Sequence, residues 1–320
     1  MNQAPVDVTI LVPVFNEEGN VRPLARAIAR VMRAEQRSFE LLFVDDGSSD
    51  RTLDHLKAEA EQIPELRIIR LRRNFGQTAA LAAGFDHSRG RYLVTLDGDQ
   101  QNDPTDIPTL LELLDQGYDL VSGWRKHRKE PFISRRLPSL VANRLLSLLT
   151  GVQIHDFGCT LKGFRARLVK ALPIYSEMHR YIPALAGLVG ARVTEVVVAH
   201  HPRVHGESKY GIGRTFRVLY DLIALRMLTR FSARPLHWFG VWSIPCFVVA
   251  AAFLFITFVD TSAVTLAVYT PVVFPTVVIL LIYLAFHFVV LGLLAELAVN
   301  VFRSGPRPLQ SLEEARRRRA

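Results

Sequence analysis

Along the N-terminal part of the chain, short apolar runs alternate with stretches whose apolar positions recur every three or four residues. Residues 8–14, 39–45, 66–71, 92–96 and 119–122 have the length and composition of strands. Between them, residues 21–36, 52–62, 77–87 and 104–116 have helical periodicity. That succession predicts an α/β domain with a mostly parallel sheet, helices on its faces, and ligands beyond the carboxyl ends of the strands.

Two longer apolar runs follow, residues 239–259 and 272–294, free of Asp, Glu, Lys and Arg. Each is about 20 residues, enough for a helix to cross a hydrocarbon layer ~30 Å thick. Arg226, Arg230 and Arg234 precede the first run, and Arg303, Arg307 and Arg316 to Arg319 follow the second, whereas residues 260–271 between them hold no Lys or Arg. The positive-inside rule then places both chain ends in the cytoplasm and the short link across the membrane. The alternative is a helical hairpin buried in a soluble core. Pro245 and Pro275 fall near the starts of the runs, and Glu296, near the exit of the second, is expected to have a structural role.

The organisation expected is therefore a cytoplasmic catalytic domain over residues 1–235, a two-helix hairpin over 236–303 and a basic tail over 304–320. Within the first, residues 134–150 and 212–231 mix Arg with Leu, Ile and Phe in the manner of helices at a bilayer surface, although either could pack on the sheet as an ordinary surface helix. Residues 1–7 lack a basic leader and 8–14 are too short for a secretory core, so no signal peptide is expected.

Composition narrows the function. The 320 residues carry 39 Lys and Arg against 30 Asp and Glu, and 49% are apolar, which excludes a predominantly disordered chain. Two cysteines, Cys159 and Cys246, exclude a disulfide framework and a four-cysteine zinc site. A sequence pI near 9.9 raises nucleic acid as a partner. The positive charge, however, lies beside the apolar runs and carries no nucleic-acid motif, so none is expected.

Candidate chemistry sits where strands end. After the fourth predicted strand comes Asp97-Gly98-Asp99-Gln100-Gln101. Two carboxylates on one turn suit a hard divalent cation, Mg²⁺ or Mn²⁺, whose remaining ligands come from water and a diphosphate. The second strand runs into Asp45-Asp46-Gly47-Ser48-Ser49-Asp50, in which Gly47 to Asp50 suit a turn and a helix cap, and Asp46 suits a base N–H or a ribose hydroxyl. The first runs into Pro13-Val14-Phe15-Asn16-Glu17-Glu18, in which Phe15 can lie against a nucleobase and Glu17 can accept from it; helix capping by Asn16 with Glu18 is equally compatible.

These motifs, with Arg73-Asn74-Phe75-Gly76, resemble the GT-A fold of family 2 inverting glycosyltransferases. Ser122-Gly123-Trp124-Arg125, residues 158–165 and residues 203–210 resemble the branch that glycosylates polyprenyl phosphates, the GtrB-like and dolichyl-phosphate mannose synthase-like enzymes. The resemblance covers about residues 6–235, and the two apolar runs continue it. It implies a fold of GT-A (Rossmann-like) type with interfacial helices and two C-terminal transmembrane helices. It also implies that Pro13, Phe15, Glu17, Asp46 and Asn74 hold the nucleoside end of the donor, and that Asp97, Asp99 and Gln101 hold metal and diphosphate. Relatives commonly have Asp-Ala-Asp-Leu-Gln, so Gln100 stands where an apolar residue is usual. The Gln-x-x-Arg-Trp string of processive synthases does not occur, which favours single transfer.

A phosphate monoester with a second pKa of about 6 is already anionic near neutral pH, so its attack needs positive charge more than a strong base. Arg125, Arg128, Arg135, Arg136, Arg203, Ser208 and Lys209 are the acceptor-phosphate candidates, and Asp99, Asp156, Arg125 and Arg203 the catalytic ones. Asp156 corresponds to an acidic family position and either orients the phosphate or a sugar hydroxyl or caps a loop. The activity expected is inverting transfer of a hexose, UDP-glucose-type first and GDP-mannose next, to undecaprenyl or dolichyl phosphate. The rival of another class is a non-catalytic nucleotide-sugar-binding membrane adaptor. The resemblance further implies a bacterial inner-membrane protein and a homo-oligomer, a tetramer.

Overall fold

The computed structural model describes residues 6–126, 143–144, 146–147, 150–172, 178–202, 235–259 and 273–302. They divide into two compact units, a sheet domain and a two-helix hairpin. Residues 134–142, the predicted helix at 212–231, and Arg128, Arg135, Arg136, Arg203, Ser208 and Lys209 lie outside the described residues. The described residues between 143 and 150 are helical.

The sheet has seven strands in the order β3-β2-β1-β4-β6-β5-β7. They are β1 (Val8–Val14), β2 (Phe39–Asp45), β3 (Leu66–Arg70), β4 (Tyr92–Thr95), β5 (Leu120–Trp124), β6 (Lys162–Arg165) and β7 (Val193–Val197). All pairings are parallel except those of β6, which runs antiparallel to both β4 and β5. All seven residues of β1 are buried, which is why its sequence is almost unbroken in apolar residues.

Helices α1 (Val21–Ala34), α2 (Thr52–Ala60), α3 (Gln77–His87) and α4 (Ile107–Asp115) fall where periodicity predicts them. A short 3₁₀ turn, Pro104–Asp106, occupies the start of the last predicted helix because the Asp103 side chain caps Thr105 there. On α1, Val21, Leu24, Ala25, Ile28, Ala29 and Met32 face the sheet, and Arg22, Arg26, Arg30 and Arg33 lie on the other side. Beyond β6 lie the short α5 (Ala166–Val169) and α6 (Ile182–Leu188).

Direction changes at β1. The chain leaves it for β2 on one side, and β4 lies on the other. A crevice opens at such a switch point between loops that run to opposite faces of the sheet. The loops after β1, β2 and β4 therefore meet there, and these are the loops that hold the candidate residues.

In the second unit, α7 (Pro235–Val259) and α8 (Val273–Phe302) are each long and apolar enough to cross a membrane. Only 11% and 17% of their most apolar windows are buried, unlike the core helices of a soluble domain. The two helices approach closely at Gly292, where a Cβ would stand 3.1 Å from the Phe239 Cβ and 3.3 Å from the Leu236 Cα. Glu296 accepts from the Leu236 N–H at 3.4 Å, satisfying one of the orphan donors of the first turn of α7, in keeping with a structural role. Pro245 lies well inside α7 rather than near its start.

Candidate active site

The turn after β4 is built by its own polar groups. Asp99 is buried and accepts from the Gln101 N–H at 3.2 Å, and the Asp97 N–H donates to Asn102 Oδ1 at 3.3 Å. Asp97 accepts from Gln77 Nε2 at 2.8 Å on one oxygen and from the Thr160 hydroxyl at 2.5 Å on the other. Gln77 opens α3 and Thr160 lies just before β6, so two separate parts of the chain aim the Asp97 carboxylate. Gly98 is more than a tolerant turn residue. A Cβ there would come within 2.7 Å of Val14 Cγ1, so the turn lies directly against the end of β1.

Burial first, and the adjacent Asp99 second, raise the Asp97 carboxyl above the ordinary value of 3.8, against the Thr160 hydroxyl, Arg125 and Lys162. The native state then holds this proton more tightly than the unfolded chain, so stability falls as pH rises from the ordinary value through the raised one. Thermal melting across that pH range is expected to show the fall, and a melting temperature that stays level through it would show that the carboxyl is not raised.

Asp46 has both oxygens engaged, accepting from the Phe75 and Gly76 N–H groups at 2.8 Å each. It thereby fixes residues 73–76, on which Asn74 is exposed and Arg73 stacks on the Phe75 ring at 4.8 Å. Gly47, at φ +72, is required beneath that loop because a Cβ would stand 2.5 Å from the Arg73 carbonyl carbon. The loop after β1 is braced on the loop after β2. Asn16 Oδ1 accepts from the Ser49 N–H at 2.9 Å, and Glu18 Oε2 accepts from the Arg51 N–H at 3.0 Å. Asn16 and Glu18 therefore do not cap α1, whose N-cap is Asn20. Pro13 is buried at the end of β1, and Phe15 and Glu17 are half-buried in the loop that follows.

Arg125, half-buried, and Asp156, buried, form an ion pair. Nε donates to Oδ2 at 2.8 Å and Nη2 to Oδ1 at 3.1 Å, while Asp156 Oδ1 also accepts from the Gly158 N–H. Asp156 therefore orients Arg125 and closes its own loop through the Gly158 N–H, the capping role considered for it. Beside this pair, Trp124 stacks on His155 at 4.2 Å, and His155 is held by Glu195.

The described residues thus place Pro13 at the end of β1, Phe15, Glu17, Asp46, Asn74, Asp97, Asp99, Gln101 and Arg125 on the loops that follow β1, β2, β3, β4 and β5, and Asp156 on the segment before β6, where it meets Arg125. Sequence reasoning missed Lys162, Thr160, Gln77 and His179, which line a small cavity behind Asp97. Lys162 is 3% exposed and donates to the Cys159 carbonyl, and burial pulls its ammonium down to about 8. A lysine in so short a strand gives no local sign of burial.

Two hard carboxylates whose proximity already disfavours their joint ionisation suit a divalent cation. Among the described residues no group of three or more His, Cys, Asp or Glu forms a closed metal cage. A pair that leaves coordination positions for a diphosphate matches that arrangement.

The family described as "Glycosyl transferase family 2" matches residues 9–172. The chain is 48% identical over 239 residues to a dodecaprenyl-phosphate galacturonate synthase of Rhizobium johnstonii, covering 73% of this chain and 71% of the relative. It is 36% identical over 307 residues to an undecaprenyl-phosphate 4-deoxy-4-formamido-L-arabinose transferase of Edwardsiella ictaluri, covering 94% and 92%. Glucosyl-3-phosphoglycerate synthase from Mycobacterium tuberculosis, solved with Mn²⁺, uridine-diphosphate-glucose and phosphoglyceric acid, shares the fold at a TM-score of 0.54 and 18% identity, over 70% of this chain and 80% of that one.

Proposed function

The chain belongs to glycosyl transferase family 2, and we propose that it transfers one glycosyl unit from a nucleoside diphosphate sugar to a polyprenyl phosphate with inversion at the anomeric carbon. The observation that carries this reading is the Asp97 and Asp99 pair, held at the switch point of the sheet and flanked by the loops after β1 and β2.

Phe15, Glu17 and the Asn74 loop take the nucleoside, with Asp46 acting through the backbone it anchors. Asp97 and Asp99 hold Mg²⁺ or Mn²⁺, and Gln101 lies on the same turn. The ion, when bound, supplies Lewis-acid charge to the diphosphate leaving group. An oxygen of the lipid phosphate attacks the anomeric carbon from the side opposite the diphosphate, forming one C–O bond as the other breaks. The attacking oxygen carries no proton near neutral pH, so no general base is required. Arg125, preset by Asp156, offers positive charge where two anionic groups approach. Arg128, Arg135, Arg136, Arg203, Ser208 and Lys209 complete the acceptor side of the proposal.

The hairpin gives this chemistry its location. A polyprenyl chain leaves the bilayer only at ~0.8 kcal/mol per CH₂, so the enzyme must come to the lipid. Insertion of α7 and α8 with both chain ends in the cytoplasm accomplishes that.

For the donor, glucose gives way to a uronic acid as first choice, because the relative that is 48% identical is a galacturonate synthase. Uridine remains the base of choice. Membranes containing the full chain would be incubated with UDP-galacturonate, UDP-glucose and GDP-mannose, each with dodecaprenyl or undecaprenyl phosphate, and the lipid product weighed. One added galacturonosyl mass is expected. Neither product nor released nucleoside diphosphate with any donor would favour the adaptor.

A further inference from the structure

Two residues near the donor site break local rules, and they are bonded to each other through the same group. Asn20 is the N-cap of α1, a position where Asn ordinarily spends its side chain on the helix N–H groups, yet it makes no such bond. Its amide is instead 1% exposed and directed across the site, Nδ2 donating to Glu17 Oε2 at 2.6 Å and Oδ1 accepting from Gln100 Nε2 at 2.8 Å. Gln100 holds a left-handed backbone at φ +60, unfavourable for a residue with a Cβ, and lies between Asp99 and Gln101, whose own bond closes the turn. Local strain and a forgone cap persist only where the surroundings over-determine them.

The direction of the bonds is set by charge. An ionised carboxylate only accepts, so Glu17 fixes the Asn20 amide with its nitrogen toward Glu17 and its oxygen toward Gln100. Gln100 must then donate. A leucine at this position, common in the resembling family, has no group to complete the chain.

We propose that Gln100 is a positioning residue, coupling the carboxylate turn after β4 to the Glu17 loop through Asn20 so that the two halves of the donor site hold one geometry. The proposal rests on the donor reading above. On that reading Glu17 serves the nucleoside and Asp99 the diphosphate, and the relay ties the residues beside them through a bond between positions 80 apart in the chain. Donor affinity depends on the relay; acceptor handling does not.

Gln100→Leu and Asn20→Ser would be compared with the unaltered full chain in detergent, by titration with UDP in the presence of Mg²⁺, by initial rates against donor and lipid phosphate separately, and by thermal melting. A serine at position 20 supplies the missing helix cap while breaking the relay. Both variants are expected to weaken UDP binding and raise the donor KM by about 3- to 10-fold, the range of one buried hydrogen bond. The lipid-phosphate KM and the rate at saturating donor should change less than about twofold, Asn20→Ser should melt no lower than the unaltered chain, and the double variant should be no worse than either single one. Unchanged donor KM in both variants, or a donor-KM loss in Asn20→Ser that comes with a lower melting temperature, would overturn the relay. Failure of the unaltered chain to bind UDP with Mg²⁺ would instead overturn the donor reading beneath it.

Discussion

Asp99→Ala is expected to lower glycosyl transfer by about 10²- to 10³-fold, the scale of losing one preorganised charge contact to the leaving group. Asp99 is 5% exposed, and one of its carboxylate oxygens accepts from the Gln101 N–H of its own turn. Asp99→Asn separates that bond from the charge most sharply. The amide oxygen still accepts from the Gln101 N–H, while the negative charge proposed to hold a dication is gone. Product formation and Mg²⁺-dependent UDP binding should fall together, with circular dichroism and membrane insertion unchanged. Turnover at the unaltered rate in Asp99→Asn would remove the carboxylate pair from donor handling.

Asp156→Ala is expected to cost about 3–5 kcal/mol of stability, because it leaves the Arg125 guanidinium buried without its counter-charge. The two side chains are 15% and 5% exposed, and two N–H groups of the arginine are spent on the two carboxylate oxygens. Removing both partners in Arg125→Met with Asp156→Ala should recover part of that stability and none of the transfer. Chemical or thermal denaturation of the single and double variants, beside their rates, makes the comparison. A double variant no more stable than Asp156→Ala alone would show that the pair does not act as a unit, and one that regained transfer would exclude Arg125 from the acceptor site.

Most of the first four strands and the helices between them were legible because their apolar residues recur with the right period. β1 is buried along its whole length and reads as a continuous apolar run, and α1 reads as a stripe because one face meets the sheet. β6 had no such signal. Lys162–Arg165 contains one large apolar residue, and it is a strand because β4 and β5 pair with it on either side. β7, with its Thr194 and Glu195, is only partly buried and was equally quiet. The carboxylate turn, the Asp46 loop and Arg125 could be placed at strand ends from sequence order and from the resemblance of their motifs to the family. Which group holds which could not, since Asp97 takes its bonds from residues 20 and 63 positions away.

What the amino-acid sequence alone determined was therefore the class of chain: an α/β domain with acidic turns at its strand ends, followed by two helices apolar over a bilayer's thickness. Those properties follow from periodicity, hydropathy and local turn chemistry, which act between near neighbours. The tertiary structure alone decided that Asp46 works through the Phe75 and Gly76 amides, that Asp156 is the partner of Arg125, and that Asn20 gives up a helix cap to join Gln100 to Glu17. A hydrogen bond between loops depends on where the sheet brings their backbones, and no local pattern in the chain encodes that distance.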